Sequence, residues 1–181
     1  MKKLVVLLGL LAWSAPSSQA QSARAKKADR AASPSVRTLD SQNGFGKATF
    51  GADIRTFRNL ELVKSDAATD TQFYNYLTDN LKVGSHKLTG ITYGFYKDKL
   101  YYIELRMMGE ANCRGIRELL SAQYGPAQSP APAPTVWWMG QQVTLRYTEA
   151  PVGYATIILG SNQLAGQRLA QRKAAAGSPA A

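Results

Sequence analysis

The sequence predicts an α+β domain: a single curved antiparallel β-sheet with one main helix packed on its apolar face. Three observations predict it. Residues 91–109, ITYGFYKDKLYYIELRMMG, alternate apolar and polar on both sides of Lys97-Asp98-Lys99, the period of half-buried strands. Residues 110–124, EANCRGIRELLSAQY, instead set Cys113, Ile116, Leu120 and Tyr124 at helical spacing and stop at Gly125-Pro126. Alternation then resumes between Thr135 and Gly160. Runs of strands, a helix and further strands are the α+β order.

From the start of the chain, Met1-Lys2-Lys3 precedes the short apolar run LVVLLGLLAW, and Ser18-Gln19-Ala20 supplies small residues at a cleavage position. This is the pattern of a secretory signal peptide over residues 1–20. The run falls well short of the roughly 20 apolar residues that span a bilayer. No later stretch is long and apolar enough to span, so the expected location is outside the cytoplasm, periplasmic or extracellular. Residues 21–43 are Ala, Ser and charge, which predicts a disordered basic linker.

The folded domain is expected over residues 44–160. Phe45 to Phe50 reads as a first short strand ended by Gly51, followed by a helical turn opening at Ala52 or Asp53 and running through Phe57. Leu60 to Lys64 and Gln72 to Thr78 are the next strands, with the polar SDAATDT between them and a turn at Gly84-Ser85 before the central hairpin. In that hairpin, facing Ile91, Tyr93 and Phe95 with Leu105, Ile103 and Tyr101 predicts a three-residue loop at 97–99, because paired residues share a face. Gly115 inside the helix costs about 1 kcal/mol relative to Ala and points to a close approach of the helix to the sheet there. After the Pro/Ala loop PAQSPAPAP come a strand with Trp137-Trp138, one ring of which must be buried, and two alternating strands paired through Leu145 and Ile157. Residues 161–181 form a basic Ala/Gln-rich tail, disordered or weakly helical.

The formal net charge is +10, yet residues 44–160 hold twelve Lys and Arg against ten Asp and Glu. The excess therefore sits in the two ends, which predicts solvated arms. It also argues against nucleic acid as the partner, which calls for a basic face on the folded part.

The chain has one Cys and one His. No intramolecular disulfide is available, and no multi-His metal site. Cys113 lies on the apolar stripe of the helix and is expected to be a buried thiol. His86 beside Gly84-Ser85 is expected to be a loop residue. Asn43-Gly44-Phe45-Gly46-Lys47 misses the phosphate-loop pattern, because Ser41 stands where Gly is needed and Ala48 where Ser or Thr is needed. No cofactor is implied. Acids are scattered over turns, so the sequence favours a domain that is not an enzyme. The alternative is a hydrolase of envelope polymer using a carboxylate pair that the sequence does not locate.

Aromatic residues carry the sharper expectation. Tyr74, Tyr76, Tyr96, Tyr102, Arg106 and Trp137 are assigned to the wetter strand faces, and Tyr, Trp and Arg dominate binding hot spots. They form a candidate surface for an envelope or extracellular protein or a glycan. The alternative is that the rings stack across strands beneath a tail.

Three motifs, Phe45-Gly46 to Phe50-Gly51, the run ITYGFYK at 91–97, and the helix end Leu120, Tyr124, Gly125, Pro126, resemble a loose class of small exported bacterial α+β domains of uncharacterised function. The pattern is distantly similar to outer-membrane assembly lipoproteins and β-lactamase inhibitor proteins, though without the lipid-bearing Cys of the former or the disulfides of the latter. The resemblance implies an α+β fold and a binding or adaptor module in the bacterial envelope, and no site residue.

Overall fold

The computed structural model describes residues 34–78, 81–129 and 134–177. The expected signal peptide and residues 21–33 of the expected linker lie outside the described residues. Among the described residues the chain forms helix α1 (Pro34–Gln42), a small hairpin of β1 (Gly44–Phe45) and β2 (Ala48–Thr49), then β3 (Leu60–Asp66) and β4 (Thr71–Tyr76). A second small hairpin follows, β5 (Lys82–Val83) and β6 (His86–Lys87), then β7 (Gly90–Tyr96) and β8 (Lys99–Met108). Helix α2 (Glu110–Tyr124), strands β9 (Thr135–Met139), β10 (Val143–Ala150) and β11 (Tyr154–Ser161), and helix α3 (Asn162–Gly177) complete it.

The fold is the expected α+β. One seven-stranded antiparallel sheet runs β3-β4-β7-β8-β11-β10-β9, and α2 packs on it through Cys113, Ile116, Leu120 and Tyr124. Paired residues define two faces. Ile91, Leu105, Ile157 and Tyr147 form one inner row, and Tyr93, Ile103, Leu159, Leu145 and Trp138 form the next. These side chains are the buried core.

Seven strands spaced about 4.8 Å apart make a sheet roughly 29 Å wide, while one helix covers only about 10 Å. The inner face needs other covers. They are α1, whose Leu39 is fully buried, the β1–β2 hairpin, and a 3₁₀ turn at Ile54–Thr56 leading to Phe57. Residues 34–42 are therefore part of the folded unit and not linker. Asp40 fastens them, accepting backbone N–H bonds from Gln141, Gln142 and Val143 at 2.8, 2.9 and 2.9 Å.

The central hairpin differs from the expected register at its tip. Phe95 faces Leu100 and Tyr96 faces Lys99, so the loop is two residues, Lys97-Asp98. Both have positive φ, 49° and 60°, as a type I′ turn requires. The expected pairs Tyr93–Ile103 and Ile91–Leu105 do form, because Tyr101 is an extra residue in β8. That bulge sends its ring to the outer face, against Phe73, Tyr96 and Tyr102. Similarly, Leu145 faces Leu159, and Ile157 faces Tyr147. The two-residue offset from the expected Leu145–Ile157 pair keeps every side chain on its face. A left-handed Lys-Asp pair is strained relative to Asn-Gly. Replacing Lys97→Asn with Asp98→Gly is expected to raise stability by about 1 kcal/mol, read as a higher urea midpoint at unchanged slope.

The C-terminal segment is a helix rather than a solvated arm. The Ser161 hydroxyl accepts the Leu164 N–H at 3.4 Å and starts α3. Arg168 lies 5.7 Å from the Tyr101 ring centroid, donates to Thr71 Oγ1 at 3.0 Å and pairs with Asp66 at 3.5 Å. The Thr69 hydroxyl, then neighbouring N–H groups and Arg168, hold the Asp66 carboxyl below its usual range. Tyr96 Oη donates to Gln171 Oε1 at 2.8 Å. One expected basic tail residue thus docks α3 on the outer face, while Arg172 and Lys173 stay exposed.

Candidate functional site: a cleft under the β1–β2 turn

The six residues expected to share one surface do not. Tyr74 and Tyr76 lie on the inner face, where their rings pack at 5.8 Å on Phe95 and Tyr93. Tyr96 is on the outer face but 3% exposed beneath α3. Tyr102, Arg106 and Trp137 remain on the outer face, half-buried. There Tyr102 donates to Glu104, Arg106 donates to Asn75 at 3.2 Å, and the Arg146 guanidinium sits 5.3 Å from the Trp137 ring centroid. The error has a physical source: Tyr serves as core or surface in a strand, so alternation alone does not say which face it takes.

The inner face holds a more defined feature. Because α2 reaches only part of the wide sheet, a cleft remains between its last turns and the cover formed by β1–β2 and Phe57. The turn of the small hairpin divides the cleft, since Phe45 and Gly46 line both chambers. Gly44 is required there: with φ +150°, an added Cβ would stand 2.0 Å from the Ala48 carbonyl oxygen. Gly46 takes φ +59° in the turn itself, a conformation that costs Gly nothing.

The first chamber has a volume of about 370 Å³ and is lined by Val83, Leu105, Leu119, Leu120 and Ile157, with Gln42, Gln123 and Tyr124 among its polar neighbours. No charged side chain lines it among the described residues. The second has a volume of about 410 Å³ and is lined by Phe57, Tyr76, Leu81, Ile91 and Tyr93, together with the exposed cations Lys47, Arg58 and Lys82.

Asp53 positions one wall of the second chamber. It caps the 3₁₀ turn through the Arg55 N–H at 3.0 Å, pairs with the Arg55 guanidinium at 2.8 Å and reaches Lys99 at 3.2 Å. The hydrogen bonds from Arg55 hold its carboxyl well below the usual carboxylate range. Phe57, at the end of that turn, stacks on Tyr93 at 5.4 Å and Phe95 at 5.2 Å. Tyr93 is 6% exposed, and burial, followed by the neighbouring Tyr76, pushes its phenol up to about 12. Among the described residues neither the Tyr76 nor the Tyr93 hydroxyl has a hydrogen-bond partner.

The other candidate residues occupy structural positions. The His86 ring rests on α2 at Gly115, where an added Cβ would stand 2.2 Å from its Cε1. The close approach anticipated at Gly115 is therefore to a side chain of β6 and not to the sheet. Cys113 is buried, its thiol pushed up by burial and donating to the Gly153 carbonyl at 3.5 Å. Glu110 and Glu149 line one hollow with Arg114 and Arg117. A hydrolase would ask for two such acids, but Glu149 accepts the Tyr147 hydroxyl at 3.0 Å within β10 and pairs at 3.9 Å with Arg117, which ties α2 to β10. No three or more His, Cys, Asp or Glu side chains cluster as a metal centre among the described residues, and no helix there is long and apolar enough to cross a membrane.

No family model, curated protein or solved structure matches the chain. The functional reading therefore rests on the cleft. Its residues come from positions 45, 57, 76, 83, 93 and 119, too dispersed to form a motif. The signal in the sequence was the pair of glycines around Phe45, which marks a phenylalanine held on a tight turn.

Proposed function

We propose that this is an exported binding domain that takes a small, mostly apolar ligand into the cleft beneath the Phe45–Gly46 turn. The observation that carries this reading is the cleft itself. Two chambers of about 370 and 410 Å³ share one dividing turn, are lined by aliphatic and aromatic side chains, and present two tyrosine hydroxyls that have no partner among the described residues. Ligand sites are typically concavities of roughly 300–1,000 Å³ with apolar walls and a few polar groups that fix orientation. The basic start, short apolar run and small residues of positions 1–20 support export. The envelope is then the expected place of action.

The test is titration with the neutral fluorescent dye N-phenylnaphthylamine. Saturable binding of one dye per chain is expected. Leu119→Trp, which fills the first chamber from its helical wall, should weaken it about tenfold or more. Trp137→Ala, on the opposite face of the sheet, should leave it unchanged. Absence of saturable binding, or equal loss in both variants with their folds intact, overturns the proposal.

A second reading draws on the outer face, where Trp137, Arg146, Tyr102 and Arg106 lie over β8–β11 and the neighbouring Met108 and Met139 are exposed. Such a face suits a partner protein or glycan, and Trp137→Ala would weaken that association while sparing the dye.

A further inference from the structure

We infer that the ligand is a single-chain anionic amphiphile, its charged head in the second chamber and its chain running under the Phe45–Gly46 turn into the first. This rests on the cleft being a binding site and adds the chemistry of its occupant.

The two chambers differ in kind. Lys47, Arg58 and Lys82 reach the second chamber from three separate elements: the β1–β2 turn, the segment after the 3₁₀ turn, and β5. No carboxylate lines it among the described residues, and none of the three cations makes an ion pair there. Three cations converging on one chamber, with no carboxylate among its described lining residues, favour an anion. The Tyr93 ring, 6% exposed, lines the same chamber, and its hydroxyl has no protein partner among the described residues. That hydroxyl is open to the chamber and can donate to a ligand oxygen.

The first chamber offers a head group nothing comparable. Its walls at Leu105, Leu119, Leu120 and Ile157 are aliphatic, so a methylene chain gains by leaving water there. An anionic end beside an uncharged apolar end is the complement of a fatty-acid-like molecule. The cleft lies between the covers of the inner face, and the Phe45–Gly46 turn borders both chambers. A free monomeric amphiphile can lay its chain along them. A lipid held in a bilayer surface cannot bring its chain there without leaving the bilayer.

The experiment is isothermal titration of the full chain with decanoate, decanol and decyltrimethylammonium at low and high salt. Decanoate is expected to bind about tenfold more tightly than decanol, and the cation more weakly than either. Three exposed charges acting together are worth about that factor. The gap should narrow at high salt, because the cations are exposed. The triple variant Lys47→Glu, Arg58→Glu, Lys82→Glu, with its fold checked by circular dichroism, should lose the preference for decanoate and keep decanol.

Equal affinity for decanoate and decanol, or an unchanged preference in the triple variant, sinks the head-group inference and leaves the cleft reading standing. Failure of all three compounds sinks both. Phosphatidylglycerol vesicles supply the last arm. Sedimentation with them that is lost in the triple variant but unaffected by Leu119→Trp would assign the cations to a membrane surface and overturn the inference.

Discussion

Trp138→Ala is expected to destabilise the domain by about 4 kcal/mol and to lower Tm by roughly 10–20 °C. The Trp138 side chain is fully buried and is the largest that is. Truncating a buried Trp costs about 3–5 kcal/mol, and each kcal/mol is worth roughly 2–8 °C in domains of this size range. A second cost comes from the indole N–H, which donates at 2.8 Å to the carbonyl of Gly125, the residue that ends α2. β9 is an edge strand whose outer side is tied by the 126–129 loop: Gln128 N–H donates to the Trp137 carbonyl at 2.8 Å, and Trp137 N–H to Ser129 Oγ at 3.0 Å. Without the indole, the edge strand, this loop and the helix end lose their common anchor. Trp138→Phe should recover most of the loss, since it restores ring volume and gives up only a bond worth about 1 kcal/mol. Trp137→Ala, next along the strand but on the outer face under Arg146, should cost about 1 kcal/mol. The measurement is equilibrium urea unfolding of all three variants. Equal costs at 137 and 138 would show the strand to be turned over.

The same strand illustrates what the sequence makes legible. Alternation predicts each of the sheet's long strands and the faces of β8, β10 and β11, because a one-residue slip would put charges such as Glu104 and Arg146 in the core. It does not specify the two-residue turn at Lys97-Asp98, since neither residue advertises a left-handed backbone, and so the bulge at Tyr101 is lost as well. The first helix is hidden, and the last reads only as a weak one, for a different reason. α1 commits one large apolar side chain, Leu39, and a carboxylate to the fold. α3 docks mainly through Arg168 and Gln171. Neither leaves the apolar stripe by which an amphipathic helix is recognised. The cleft is illegible for a third reason. It is the remainder when a wide sheet is covered by one helix and several short pieces, and only the folded geometry says where the remainder falls.

Raising the pH above about 10 is expected to remove stability, with Tyr93 among the groups that drive the loss. Burial raises the phenols of Tyr93, Tyr101, Tyr102, Tyr124 and Tyr147; at Tyr102 the bond to Glu104 adds to it, and at Tyr147 the bond to Glu149. A phenol raised on folding is protonated in the native state at a pH where the unfolded chain has already released its proton. Its stabilisation is complete below the unfolded value near 10 and is lost as pH climbs through the folded value. For Tyr93 that value is about 12, so its share of the loss falls between about pH 10 and pH 12. Urea midpoints should therefore hold level from neutrality to about pH 9 and fall beyond 10. Tyr93→Phe should flatten part of that fall, which a ring serving only as packing would not do. Decanoate offers a sharper check, because an anion in the second chamber opposes the Tyr93 phenolate. With it bound, the absorbance titration of wild type should move further up in pH, and Tyr93→Phe should shrink that movement.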